Sequence, residues 1–422
     1  MTRPEIRRIL SRRRQPSGLV SLRYLWPGND PRVRRHRTFW WGPVMGRGRR
    51  CRWLAIQALL WLRWILWSGW REMALTLRSN RDVAFPLRHR LAMLRLTLGW
   101  CVSPWEAWTF GLLPAPGRAL DFVFEAETNG YHAWRNRLLG LSTSQIDRTA
   151  RRLNDKLSAA ETLQAANIPV VPTIACVAAG TAPPLRTLLA TGEPVFCKTR
   201  GGNRGRGAFA ACLQGDSIRG ETFKGRPLPD ADAVEDAWRN LTAIGDVLIQ
   251  PMLSTHPDLA PLSADQSTIT LRHVTVRDGS DIRDWQAVLE IPGGLRSNGT
   301  RGYLFLPVDL ASGRLRPFPP DRMQHPQARK AQMDLEAKLS PKAEVPFWQT
   351  LRDASHRAHA LFPDAGSIAW DWVIAPDGPV LLEGNTGWGL HLPQQIAGGL
   401  LHDLPDADTA RWPAAGNNQP GR

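Results

Sequence analysis

The densest apolar run in the chain is Trp53–Trp70, WLAIQALLWLRWILWSGW, interrupted by Gln57 and Arg63. A bilayer crossing takes about 20 consecutive apolar residues, and this run is both shorter and broken. The pattern therefore predicts a helix lying in the headgroup layer, with Trp53, Trp61, Trp64 and Trp67 at the boundary where indole rings are favoured. The same run also suits packing as core or against a partner. From about residue 110 the pattern changes. A helix is expected over Ser144–Ala166, ended by Asn167-Ile168-Pro169 because proline cannot continue it. Short β-branched or apolar runs predict strands at Val170–Val177, Pro194–Lys198 and Ala208–Leu213, then a helix at Asp232–Ala243 and a strand at Val247–Met252. Further strands are expected at Thr268–Val276, Trp285–Ile291 and Tyr303–Val308, and a helix at Phe347–Leu361. A final pair of strands, Ser367–Ile374 and Val380–Glu383, is hinged at Pro376-Asp377-Gly378. The class is α+β. We divide the chain into a basic, Trp-rich helical segment at 1–104, a body at 105–402 and a flexible tail at 403–422.

Charge sharpens that division. The net charge is +16 over 422 residues, but residues 1–100 hold 22 Arg and no Lys against four acidic residues, or +18, so the remainder sums to −2. Eleven of the 19 Trp lie within residues 1–110. Basic side chains beside an apolar, Trp-rich helix point to an anionic membrane surface. Nucleic acid is disfavoured, because the Trp residues share a continuous run with Leu and Ile and do not alternate with polar groups along a groove. The five cysteines are scattered, with no Cys-x-x-Cys and no zinc-ligand spacing, which fits reduced thiols. The Arg-rich first twenty residues do not read as a signal peptide, so the expected location is cytoplasmic, peripheral on the inner face of the cell membrane.

Two stretches carry candidate chemistry. In Ser367–Gly389, a hairpin would bring Asp371 opposite Glu383 and Asn385, offering two carboxylates and an amide to a hard cation such as magnesium. Glu383 and Asn385 share a face because side chains repeat every second residue on a strand. Acidic residues solvated at a sheet edge are the plainer reading. In Phe196–Ala210, a strand delivers Lys198 into a loop with Gly201, Gly202, Gly205 and Gly207, where backbone N–H groups can approach phosphate oxygens. Lys198, Arg200, Arg204 and Arg206 add positive charge there. A plain hairpin turn would use the same glycines. Arg272, inside an apolar strand, reads either as an outward charge or as an inward cation facing phosphate. Arg296, Asn298 and Arg301 sit in another Gly-rich loop suited to an anionic acceptor, and His256 and His273 read as solvated or core histidines.

The order Lys156, Lys198, glycine loop, VLIQPML, Asp371 and Glu383-Gly384-Asn385 resembles the ATP-grasp superfamily. LNDKL at Leu153–Leu157, TLRHVTV at Thr270–Val276 and the WDW…EGN ending resemble its sugar-transfer-associated members, over about residues 105–400. The resemblance implies an ATP-grasp fold, with two α+β lobes clamping ATP and Mg2+. It places Lys156 and Lys198 on phosphates, Gly201, Gly202, Gly205 and Gly207 over them, and Asp371, Glu383 and Asn385 on the metal. Adenine would meet Gln250 and the backbone of Met252 or Leu253, and Asp258 would meet the ribose. Many relatives carry Glu where Gln250 stands, and Gln keeps the acceptor without the charge. Lys198, Arg272, Arg296 and Asn298 are the implied catalytic residues. The implied reaction joins a carboxylate to an amine through an acyl-phosphate, in cell-surface polysaccharide or sugar-conjugate biosynthesis. Its substrates would be a small-molecule or lipid-linked sugar and an amino acid. A kinase acting on a hydroxyl and a non-catalytic nucleotide-binding adaptor of a membrane glycan assembly are the alternatives.

Overall fold

The structure, a computed structural model, describes the chain apart from residues 1–18, 26–29, 42–46, 82, 182, 190–191, 203–204, 206, 216, 224, 265–266, 294–301 and 403–422. The expected tail lies outside the described residues. Two compact units divide the chain: Met1–Ser142, Phe318–Lys330 and Gly387–Arg422 in one, Thr143–Pro317 and Ala331–Thr386 in the other.

The first unit is helical. Helix α1 is Pro31–Trp41; α2, Arg47–Arg63, runs through a π-helical turn at Trp64–Ser68 into α3, Gly69–Ser79; α4, Leu87–Leu94, ends in a second π-helical turn at Arg95–Gly99; α5 is Thr128–Leu138. The two π-helical turns meet where Trp64 Nε1 donates to the Thr97 carbonyl at 2.7 Å. Trp64 is fully buried, whereas Trp67 is 69% exposed. The expected interfacial quartet is thus split, because the helix has a wet face and a packed face and Trp64 falls on the packed one. Met73, Phe85, Met93 and Leu96 share a core with Trp108, Phe110, Phe122 and Phe124, so a boundary drawn at residue 104 cuts through one hydrophobic cluster. Among the described residues, no helix is long and apolar enough to cross a membrane.

The second unit holds two antiparallel sheets. Its helices are α6, Thr143–Asn154; α7, Lys156–Ala165; α8, Ala231–Ile244; and α9, Trp348–Ala360. Strands β1 (Ala175–Val177), β2 (Val195–Thr199), β3 (Phe209–Gln214), β4 (Ser217–Thr222), β5 (Pro227–Leu228) and β6 (Val247–Pro251) form a sheet of order β1-β6-β2-β3-β4-β5. Strands β7 (Thr270–Asp278), β8 (Asp281–Pro292), β9 (Tyr303–Pro307), β10 (Ser367–Ala375) and β11 (Gly378–Asn385) form the other, of order β11-β10-β7-β8-β9. Each sheet has its own apolar cluster. Helix α8 packs Val234, Trp238 and Leu241 with Val195, Phe209 and Ile249 of the six-stranded sheet. Helix α9 packs Leu351, Ala354 and Ala358 with Leu271, Leu289 and Trp372 of the five-stranded one.

Two departures from the sequence reading bear on function. The single helix expected over Ser144–Ala166 is two, broken at Asp155, whose carboxylate accepts from Ser158 N and caps α7. An Asp side chain competes with the backbone inside a helix and satisfies an otherwise orphaned N–H at its start, which is why the break falls there. Residues Val170–Val177 form a strand only over Ala175–Val177, and Val170 makes an isolated parallel bridge to Leu381. The hairpin strands β4 and β5 carry no strong apolar alternation and were not expected.

Candidate functional site

The hairpin β10–β11 sets Asp371 directly opposite Glu383. On its other side Asp371 faces Arg272 of β7. A β-bulge follows, since Trp372 pairs with Leu381 and leaves Leu382 as an extra residue on β11. Bulges re-aim side chains locally. Here Asn385 Nδ2 reaches both Asp371 Oδ2, at 3.1 Å, and Glu383 Oε1, at 3.2 Å. The three expected metal-ligand residues are therefore in mutual contact, bridged by the amide.

Arg272 is the cation of this group. Its Nε and Nη2 donate to the two Asp371 oxygens at 2.8 and 3.2 Å, and its Nη1 lies 3.1 Å from Glu290 Oε1 on β8. Three of its five N–H groups are used this way. The inward reading of Arg272 is the one observed. Burial pushes the Asp371 carboxyl upward, against the pull of Arg272, and pushes Glu290 upward for the same reason. Taking a carboxylate out of water disfavours its charged form, and one guanidinium shared between two acids does not restore it.

The lysines come from the other sheet and from α7. Lys198 on β2 is buried, and burial lowers its pKa to about 8, with Glu383 opposing that fall and Lys156 adding to it. Lys156 Nζ donates to the Gly202 carbonyl at 2.6 Å and lies 3.8 Å from Glu383 Oε2. Lys156, Lys198, Arg272, Asp371, Glu383 and Asn385 thus form one cluster. Beside it lies a cavity of about 300 Å³ lined by Asp147, Arg151, Asn154, Lys156, Glu383 and Asn385.

The glycine loop is tied to the start of α7. Arg200 makes a two-pronged contact with Asp155, both at 2.8 Å, Lys156 N donates to Arg200 O at 3.1 Å, and Gly202 N donates to Asn154 Oδ1 at 3.3 Å. Arg200, expected to add charge for phosphate, is bound to Asp155. Of the loop glycines, Gly205 lies against the Phe223 ring with φ +57°, where a side chain would collide, and Gly207 faces Leu241 with φ +77°. Gly201 has open space around it. Arg204, Arg206, Arg296, Asn298 and Arg301 lie outside the described residues.

Gln250 is buried on β6 opposite Phe196. The Met252 N–H is committed to the Pro194 carbonyl at 3.0 Å, and the Leu253 carbonyl accepts Thr268 Oγ1 at 2.8 Å. Asp258 is exposed; its nearest charged neighbour is His256, at 3.7 Å, whose N–H bonds to Ile374 O, so the geometry does not bring Asp258 into the cluster. His273 is fully buried with Nε2 3.0 Å from Asp284, a core histidine on the sheet face opposite Arg272.

Several residues at the site were not singled out from sequence. Asn154 and Asp155 adjoin Lys156 and were quoted without a role. Glu290, a lone acid in the apolar run AVLEIP, had a signal of the same kind as Arg272. Trp370 and Trp372 point away from Asp371, as alternation requires. The Trp370 indole donates to Thr275 Oγ1 at 2.9 Å, Thr275 donates to His359 Nδ1 at 2.8 Å, and His359 Nε2 donates to Ala365 O at 3.0 Å. Burial holds His359 neutral, with its pKa near 4. The Trp370 ring covers Gly384, where any added Cβ would overlap it.

Comparison with known proteins follows from this arrangement. Solved structures with a similar fold include the ATP-grasp ligase PsnB complexed with minimal precursor (14% identity, 59% of this chain and 57% of that one, TM-score 0.33). Another is carboxyaminoimidazole ribonucleotide synthase from Aspergillus clavatus complexed with ATP (10%, 56% and 44%, TM-score 0.33). A third is D-alanine–D-alanine ligase from Bacillus anthracis (11%, 56% and 56%, TM-score 0.32). The chain spans less than two thirds of the length of each. No curated protein matches the sequence. The family described as sugar-transfer associated ATP-grasp matches residues 142–407, well over half of the chain and every element that builds the cluster, so the chain belongs to that family and has the ATP-grasp fold.

Proposed function

We propose that the chain is an ATP-dependent ligase joining a carboxylate to an amine through an acyl-phosphate, in the assembly of a cell-surface polysaccharide or sugar conjugate. The observation that carries this reading is the convergence of Lys156, Lys198 and Arg272 with Asp371, Glu383 and Asn385. Among the described residues no three His, Cys, Asp or Glu side chains gather as a metal site. Two carboxylates and one amide do, and that incomplete oxygen set suits magnesium, which completes its shell with phosphate oxygens and water. The Asn385 amide already spans both carboxylates, and turning it over would present its oxygen to a cation.

In this reading Asp371, Glu383 and Asn385 hold Mg2+, and Lys156, Lys198 and the loop Gly201, Gly202, Gly205 and Gly207 hold the ATP phosphates. Because the Met252 N–H is engaged with Pro194, the adenine edge falls to Leu253 N–H and the Gln250 carbonyl. Asp258 would meet the ribose after movement of its loop. ATP supplies the phosphoryl group, and magnesium neutralises its charge. Lys198 keeps a proton on Nζ to spread charge on the transferred oxygens, and Arg272 holds the Asp371 carboxylate in place with two N–H groups to spare for phosphate. The substrate carboxylate oxygen bonds to the γ-phosphorus as ADP leaves; the amine nitrogen then bonds to the acyl carbon as phosphate leaves. Arg296 and Asn298 are proposed to hold the acyl acceptor. The family description supports a sugar-linked substrate, with an amino acid as its partner.

The test is product analysis with amino acids crossed against amino sugars and nucleotide sugars. ADP and inorganic phosphate should appear together when carboxylate and amine are both present, and Lys198→Ala or Glu383→Ala should abolish them. Unchanged ADP formation in either variant sinks the site assignment. A phosphorylated acceptor indicates a kinase, and ATP binding without ADP across the panel indicates an adaptor.

A further inference from the structure

The first unit carries a surface that the ligase reading does not use. Helices α2 and α3 and the π-helical turn between them form one rod from Arg47 to Ser79. Its packed side is Gln57, Leu60, Trp64, Ser68, Met73 and Thr76, and its open side is Leu54, Leu62, Leu66, Trp67, Trp70 and Leu75. Leu66 is 74% exposed and Trp67 69%. A π-helical turn takes one residue more than an α-turn. Here it carries two successive large apolar side chains outward, Leu66 and Trp67, while Trp64 and Ser68 stay inside. Gly69 permits this, because a Cβ there would meet the Leu98 side chain.

We propose that this open face docks on an anionic lipid surface, lying in the plane of the bilayer. The stripe runs from Leu54 to Leu75, roughly 30 Å at 1.5 Å per residue. An exposed run of Leu and Trp has its water-excluding environment at the boundary of headgroups and acyl chains. The charge selects the kind of surface. Arg52, Arg71 and Arg78 are exposed on the rod, and Arg81, Arg88 and Arg95 are exposed just after it. Residues 51–100 contain two acids, Glu72 and Asp82, against eight arginines. A second copy of the chain would bring the same positive charge to the contact and be repelled. A nucleic acid would satisfy the arginines but leave the Leu62–Leu66–Trp70 edge against phosphates, where it gains nothing. Anionic lipid answers both features at once. The docking goes beyond the ligase reading and does not depend on it.

The experiment is co-sedimentation of the full chain with vesicles of phosphatidylcholine alone or mixed with phosphatidylglycerol. The protein should pellet with the mixed vesicles at least about ten-fold more strongly than with phosphatidylcholine alone, and added salt should weaken it. Leu66→Glu with Trp67→Glu should cut the apparent affinity about ten-fold or more at unchanged circular dichroism and melting temperature. If that pair disturbs folding, Leu62→Gln with Leu66→Gln carries the test. Equal pelleting of a folded variant and the parent overturns the proposal. So does light scattering that shows a dimer dissolved by the same substitutions without vesicle binding, and so does binding of single-stranded RNA by a chain that ignores mixed vesicles.

Discussion

The two sheets of the second unit hold opposite charges under the same constraint. The six-stranded sheet delivers a buried lysine, Lys198, whose pKa burial lowers to about 8. The five-stranded sheet delivers Asp371 and Glu290, which burial pushes the other way, and it carries its own counter-ion in Arg272. One sheet is thus internally compensated and the other is not. Neither is comfortable in its present charge state, and each would be relieved by what the other lacks. Lys198 gains from added anion, and the carboxylates gain from added cation. A site poised this way resists both partners separately and accepts them together.

The contrast can be broken from either side, and Arg272 is where the effect should be largest. Arg272→Met leaves Asp371 and Glu290 buried without a cation, which should cost about 3 kcal/mol of stability, the low end for a severed buried pair because Arg272 keeps some contact with solvent. Urea unfolding would measure it. Lys198→Met should do the reverse. A lysine whose folded pKa lies below its unfolded one binds its proton less well when folded, so its charge costs stability below pH 8 and the cost fades as pH rises toward 10.5. Removing it should raise the urea midpoint at pH 7 while lowering kcat/KM by about 10²–10³-fold. A Lys198→Met protein less stable than its parent would contradict the uncompensated charge.

Gly384 tests the rigidity of the compensated sheet. Its Cα lies under the Trp370 ring, which Thr275 and His359 hold from behind. An added methyl must displace the ring or the strand, and overpacking of this kind costs about 1–3 kcal/mol. Since Glu383 and Asn385 flank Gly384, a displaced strand would separate them from Asp371. Gly384→Ala should raise the magnesium concentration for half-maximal activity about ten-fold, with less change in kcat at saturation. Titration of activity against magnesium reads this directly. A loss in kcat with the magnesium requirement unchanged would indicate that Gly384 serves the fold and not the ligand geometry.

The same contrast explains what the sequence could show. Asp371, Glu383 and Asn385 were legible because strand alternation and a tight turn are local, and the structure brings them within hydrogen-bonding range. The β-bulge at Leu382 leaves no local mark, since the extra residue is one more leucine in an apolar run. Lys198 was visible beside its glycines, but its depressed pKa comes from burial, which no neighbour in sequence sets. The bond between Arg200 and Asp155 spans 45 positions, and reading Arg200 as a spare charge overlooked it. The Trp-rich run misled for a related reason: composition shows that the helix is apolar, and only the packing of Trp64 on Thr97 shows which face is spent.

The smallest effect is the one with the sharpest sign. If Lys198 titrates near 8, nucleotide affinity should fall as pH rises from 7 to 9, because the ammonium that meets phosphate is lost in that window. An ordinary lysine would hold its charge throughout it. Bound phosphate favours the charged form and pulls the pKa back up, so the fall should be modest, roughly three- to ten-fold across the two pH units. Fluorescence titration with an ATP analogue at constant ionic strength measures it. Lys198→Arg supplies the control, since guanidinium keeps its proton over the whole range. That variant should bind less tightly at pH 7, for want of room at a buried position, yet show a flat profile. Were the parent flat as well, Lys198 would be charged at every working pH, and the imbalance between the two sheets would have to be settled by neighbours other than the carboxylates of β10 and β11.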